Sequence, residues 1–222
     1  MNDPLLKLNP DTGLLCLSDA AFGVFEQLAK RGGDLVDAPG LRGQVARLRA
    51  VSVLDSEDQI HPSLTSTLAA IRHAETELVL TGTERLARIW VAAPRAALLL
   101  PIDDSNLRRL THLPLWMLPE TISRIVGLGP RPRPAGPAVP LSTLGAGDTR
   151  SHWTLARIAT RPGERDRDAS LEIVDTAAGL WVVKPGDDGP MASPSDPTAV
   201  WRAIIRLVRP GRPAAQTPRA TT

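Results

Sequence analysis

The sequence predicts an α/β (α+β) fold, with a central, mostly antiparallel sheet built from two pseudo-two-fold-related halves and flanked by helices. Three observations predict it. The first is a near-repeat: "RIWVAAPR" at 88–95 and "LWVVKPG" at 180–186 each run from an aliphatic residue through Trp and Val to a proline. The second is order, because around each string three strand-like segments lead through a less regular stretch to a helix and a basic, Pro-rich exit. The third is the helices themselves: Ile122, Arg124, Ile125 and Val126 align with Ile204, Arg206, Leu207 and Val208 at a constant offset of 82. Trp90 and Trp181 align at an offset of 91 and are expected at matching positions of the two halves. Two such units can pair about a dyad into one sheet, each helix covering part of a face.

The elements follow from local pattern. Ser18 and Asp19 can cap a first helix whose Ala21, Phe22, Phe25, Leu28 and Ala29 share one face, with "KRGGD" ending it. Leu41, Val45 and Leu48 give a second helix at the i, i+4, i+7 spacing, and an acidic, Pro-closed turn leads to a third with Leu64, Leu68 and Ile71 buried. The first seventy residues are thus expected to be mainly helical. "TELVLTGT", "RLARIWVAA" and "AALLLPIDD" read as three sequential antiparallel strands. "LRRLTHLPLWMLPE" is ambiguous between strand and loop, and Pro119 opens the helix "PETISRIVGL". In the second half "HWTLARIAT", "ASLEIVDT" and "GLWVVKPG" are strands, "DDGPMASPSDPT" is irregular, and Asp196 with Pro197 starts "TAVWRAIIRLV". The organisation expected is a single domain over 1–222, with halves 1–128 and 151–209, a Pro/Gly-rich connector at 129–150 and a disordered basic tail at 210–222.

Composition narrows the function classes. At 222 residues with 42% hydrophobic and 23% charged side chains, the chain can bury a core unaided. No run reaches the roughly 18–20 apolar residues of a membrane span, and the N-terminus lacks signal-peptide order, so a cytoplasmic location without membrane insertion is expected. The single cysteine, Cys16, excludes an internal disulfide framework and reads as a small core residue. Positive charge is interleaved with acids, as in "GERDRD" at 163–168, so no nucleic-acid partner is expected.

The search for chemistry is mostly empty. His61, His73, His112 and His152 have no metal-ligand spacing. The acids of "LDSEDQIHP" lack a calcium loop's glycine at the sixth position, where Ile60 falls. "GAGD" at 145–148 has neither a feeding strand nor a following Lys-Ser/Thr, and the pairs Asp103/Asp104 and Asp187/Asp188 read as wet turn residues. No enzyme, no cofactor, no metal and no small-molecule substrate are therefore expected. Trp90, Trp153 and Trp181 suit the core, whereas Trp116, with Met117 and Leu118 in the Pro-flanked "HLPLWMLPE", suits a protein-binding surface.

The opening "LSDAAFGVFEQL", the "DSEDQIHPSLTSTLAAI" turn and helix, "ARIWVAAPRAALLL", the "RIVGLGPRPRP" exit, "HWTLARI", "LEIVDTAAGLWVVKP" and "DPTAVWRAIIRLV" together resemble the EspG family. These are substrate-specific chaperones of actinobacterial type VII (ESX) secretion. The resemblance spans residues 13 to 210 and rests on order and spacing, since the family has no catalytic signature. It implies an EspG-like domain that binds the tip of a helical secreted protein of the PE–PPE or WXG100-like kind in the cytoplasm. The second half departs from the family in lacking a helical pair between connector and strands. The alternative from the residues alone is an orphan structural or regulatory α/β interaction domain whose basic Pro-rich segments and tail dock an acidic partner or nucleic acid, with binding that depends on Arg206, Arg209 and Arg212.

Overall fold

The computed structural model describes residues 7–31, 42–50, 52–57, 59–83, 85–102, 106–159 and 169–209. The strands are β1 (Lys7–Asn9), β2 (Leu14–Ser18), β3 (Thr76–Thr81), β4 (Arg85–Ala92), β5 (Arg95–Ile102), β6 (Leu107–Pro114), β7 (Val139–Pro140), β8 (Thr149–Ala159), β9 (Ser170–Thr176), β10 (Gly179–Lys184) and β11 (Met191–Ser195). The helices are α1 (Asp19–Arg31), α2 (Arg42–Ala50), α3 (Thr65–Arg72), α4 (Leu118–Ile125) and α5 (Pro197–Val208). All eleven strands form one sheet in the order β1-β2-β6-β5-β4-β3-β8-β9-β10-β11-β7, and every pair is antiparallel.

The order itself shows the two halves. The seam is β3 against β8, with Val79 opposite Ala156. Counting outward, β4 corresponds to β9, β5 to β10 and β6 to β11, and α4 and α5 each follow the last strand of a set. Alternation then sorts side chains onto two faces. Leu78, Leu80, Ile89, Leu98, Trp153, Leu155, Ile173 and Leu180 lie on the face covered by α4 and α5. Those helices bury Leu118 and Ile122, and Val200 and Ile204, so the offset of 82 pairs side chains that have no exposed surface. On the other face of the first half, Trp90, Ala97, Leu99 and Leu110 pack against Phe22, Phe25 and Leu28 of α1, Leu48 of α2, and Ala70 and Ile71 of α3.

Local chemistry accounts for the element ends. Ser18 Oγ accepts from Ala21 N at 3.3 Å and opens α1, and Asp196 Oδ1 accepts from Ala199 N at 2.9 Å and opens α5 with Pro197 behind it.

Five expectations are corrected. The first seventy residues are not only helical, because β1 and β2 form a hairpin that joins the sheet beside β6. "DDGPMASPSDPT" contains β11, in which Pro194 is tolerated because β7 pairs only with Met191 and Ala192 and leaves that edge free. The connector at 129–150, whose many prolines and glycines argue against regular structure, holds β7, two 3-10 turns (Leu141–Thr143 and Ala146–Asp148) and the start of β8. Cys16 is half-buried rather than a core residue, since Leu15 and Leu17 take the inward positions of β2. Trp90 and Trp181 do not occupy matching strands, for β4 is the second strand out from the seam on its side and β10 the third on the other. Residues 163–168, Asp103, Asp104, Leu41 and the tail 210–222 lie outside the described residues.

Candidate protein-binding surface

The sheet face opposite α4 and α5 carries two kinds of cover and, between them, an open strip. Over the first half sits the α1–α3 layer, fastened by charge. Arg88 of β4 donates from Nε to Glu77 Oε1 at 2.5 Å and from Nη2 to Glu26 Oε1 at 2.9 Å, and Lys30 reaches the same Glu26 oxygen at 2.9 Å. The Arg88 guanidinium also lies 4.6 Å from the Trp90 ring centre, and Phe22 meets that ring at 5.6 Å. Burial alone would raise the Glu26 carboxyl, but the Lys30 and Arg88 hydrogen bonds and charges outweigh it and hold the group below its ordinary range. Burial likewise works against the Arg88 charge, and Glu77 and Glu26 more than restore it.

Over the outer second half the cover is an extended strap from the connector. The connector leaves α4 on the opposite face, where Arg131 Nε donates to both oxygens of the buried Asp175 at 3.0 and 3.2 Å, and then passes the β9–β10 turn at Gly179. Val139, Leu141 and Leu144 pack on Val174, Trp181, Val183 and Ala192. The Trp181 indole N–H donates to Thr176 Oγ1 at 3.2 Å, so its polar edge is satisfied.

Between these covers, at the seam, the same face presents Val79 and Thr81 of β3 beside Thr154, Ala156 and Ile158 of β8, all but Ile158 half-buried. Ile158 is 44% exposed, one of two large hydrophobic side chains so exposed among the described residues. Sequence reading passed over this strip. Its signal was available in "HWTLARI", where apolar residues fall on both phases of the strand and so mark two apolar faces.

Trp116 is the other exposed side chain, at 76%. It sits in the 3-10 turn Leu115–Met117 between β6 and α4. Leu115 N donates to Pro94 O at 2.9 Å and pins that turn to the β4–β5 hairpin tip, so exposed Pro94 and Pro114 lie near the indole in the chain path. Met117 is half-buried, and Leu118 is fully buried in the α4–α5 core. The predicted trio is thus split, with Trp116 and part of Met117 on the surface. The dyad explains Leu118, whose counterpart Val200 is equally buried, whereas Trp116 and Met117 correspond to Thr198 and Ala199. The apolar knob therefore exists on one half only.

The histidines have structural contacts. His61 Nδ1 accepts from Ser63 N at 3.2 Å and lies 2.8 Å from Ser63 Oγ, capping a 3-10 turn on the rim of a cavity of about 630 Å³ that Arg49, Leu54 and Asp55 also line. His112 Nδ1 lies 3.3 Å from Thr67 Oγ1, and burial, then the Arg95 charge, push its pKa down. His152 Nε2 lies 2.8 Å from Glu172 Oε1, and His73 follows the last turn of α3. Among the described residues no three of His, Cys, Asp and Glu converge as metal ligands, and no helix is long and apolar enough to cross a membrane.

No family model matches the sequence, and no curated protein matches it. Among solved structures the chain is similar to the Mycobacterium tuberculosis type VII secretion system chaperone EspG5, whose structure is of its complex with the PE25–PPE41 dimer. The TM-score is 0.56 at 10% sequence identity, over 89% of this chain and 96% of that one. The chain therefore has an EspG-like fold.

Proposed function

We propose that this chain is a non-enzymatic, cytoplasmic chaperone or adaptor that holds a helical secreted protein of the PE–PPE kind before export through a type VII (ESX) system. The reading is carried by the EspG-like fold, since the protein of that fold named above is a chaperone in complex with a PE–PPE dimer. The surface chemistry supports it. A helical cargo with an apolar tip needs an apolar patch with a polar rim. Trp116 and Met117 supply the former, while the Glu120–Arg124 ion pair, 2.6 Å apart, stands exposed just beyond them in the chain. The strip around Ile158 offers a second apolar contact. Such binding needs no cofactor and no titrating group.

Co-purification of the full chain with co-expressed PE–PPE dimers tests the proposal. A stoichiometric complex is the expected result, and the absence of one with any dimer of a type VII cluster counts against it. Trp116→Ser should weaken that complex by about 2 kcal/mol or more while leaving stability within about 0.5 kcal/mol. Leu118→Ala should instead cost about 2–5 kcal/mol of folding stability.

A further inference from the structure

The pairing of α4 with α5 exposes a difference of charge. The offset that superimposes Leu118 on Val200 and Ile122 on Ile204 also sets Glu120 against Arg202, Arg124 against Arg206 and Gly127 against Arg209. On α4 the arginine is neutralised within its own helix, Arg124 Nη2 donating to Glu120 Oε1 at 2.6 Å. On α5 the acid of that pair is replaced by another cation. Arg202, Arg206 and Arg209 are all exposed, and none forms an ion pair among the described residues.

The acids of the neighbouring elements are already engaged. Glu120 of α4 binds Arg124, Asp175 of β9 binds Arg131, Glu172 of β9 lies against His152, and Asp196 caps α5 itself. At the spacing i, i+4 Arg202 and Arg206 share one helix face over roughly 6 Å of axis, and Arg209 follows as the C-cap just past the helix end. Like charges at i, i+4 work against a helix by a few tenths of a kcal/mol, so the row costs stability until an anion meets it. Beside it Trp201 and Ile205 are half-buried and give the row an apolar margin.

We propose that the outer face of α5 is a docking surface for an acidic helical segment of a partner protein, with carboxylates at i, i+4 spacing meeting Arg202 and Arg206, and apolar side chains meeting Trp201 and Ile205. Charge complementarity fixes the sign of the partner, and the planar guanidinium forks match carboxylates two bonds at a time. The apolar margin and the shortness of the row favour a protein over a nucleic acid, whose backbone offers charge along its whole length. This surface uses none of the residues assigned to cargo, so it stands or falls independently of the chaperone reading.

The probe is a fluorescein-labelled helical peptide with Glu at i, i+4 and i+7 and Leu at the adjoining positions, titrated with the full chain and read by anisotropy. Binding is expected to weaken with added salt. In R202E/R206E it should weaken by about tenfold or more, and that variant should bind the same peptide with Lys in place of Glu. R124E, on α4, should change affinity by less than about twofold. Both substituted positions are exposed, and R202Q/R206Q should likewise lose about tenfold or more for the Glu peptide, without gaining the Lys peptide, should the charge reversal fail to fold. Equal peptide binding by the wild type and either double variant overturns the proposal. So does tighter binding of a single-stranded oligonucleotide or an anionic vesicle that the same substitutions abolish.

Discussion

Trp90 of β4 stands directly across from Ala97 of β5, two rungs in from the closing pair Ala92–Arg95 of their hairpin. In the corresponding hairpin Trp181 of β10 stands across from Val174 of β9, two rungs in from Thr176–Gly179. The two indoles thus occupy the same rung and the same face, on opposite strands. Each half needs one large aromatic at that rung, because the opposite residue is small or β-branched and a single side chain must fill the space over both strands. The two environments differ, since Trp90 meets Phe22 and the α1–α3 core while Trp181 meets only the strap.

Truncation should reflect that difference. Trp90→Ala is expected to cost about 3–5 kcal/mol, and Trp181→Ala less than that. Trp181→Phe keeps the ring but loses the N–H bond to Thr176, for about 1 kcal/mol. Urea unfolding followed by far-ultraviolet circular dichroism separates these, and a larger loss for Trp181→Ala than for Trp90→Ala would contradict the packing argument.

Acid should loosen the join between the α1–α3 layer and the sheet. The Glu26 carboxyl is held below its ordinary value of 4.5, so the unfolded chain takes up that proton first as pH falls. The stability it contributes is complete above about 4.5 and disappears as pH drops through the lower folded value. Glu26→Gln should therefore be less stable than wild type at neutral pH, with the gap closing in acid. A gap that stays constant from pH 7 to about 3 would show that Glu26 and Arg88 are not coupled.

The strap should be sensitive to one methyl group. Gly179 has φ +131°, and a Cβ there would lie 2.1 Å from Pro132 O. Gly179→Ala must displace the strap or strain the hairpin, at about 1–3 kcal/mol. Hydrogen exchange should then rise in 130–144 before the rest of the second half. Unchanged protection there would mean that the strap is held by Arg131–Asp175 alone.

Much of the fold was legible in sequence because it depends on local periodicity. The face of α1, the alternation in β3, β4, β9 and β10, the burial of Trp90, Trp153 and Trp181, and the caps at Ser18 and Asp196 all follow from neighbours a few residues apart. The kinship of the two halves was legible as well, in the offset that matches α4 to α5. What periodicity could not supply was the identity of corresponding strands. "IWVAAP" and "LWVVKP" match as strings, yet the rung each indole fills belongs to a hairpin, and the side of the hairpin that carries it is decided by cross-strand packing. The prolines around Val139 and Pro194 argued against strands, and only their position at the sheet edge made pairing possible. The same holds for the surface. Sequence placed Trp116, Met117 and Leu118 together as apolar and Pro-flanked, but the docking of α4 on the sheet sent Leu118 inward and left Trp116 outside. Burial depends on partners distant in the chain, and those partners exist only once the sheet has closed around its seam.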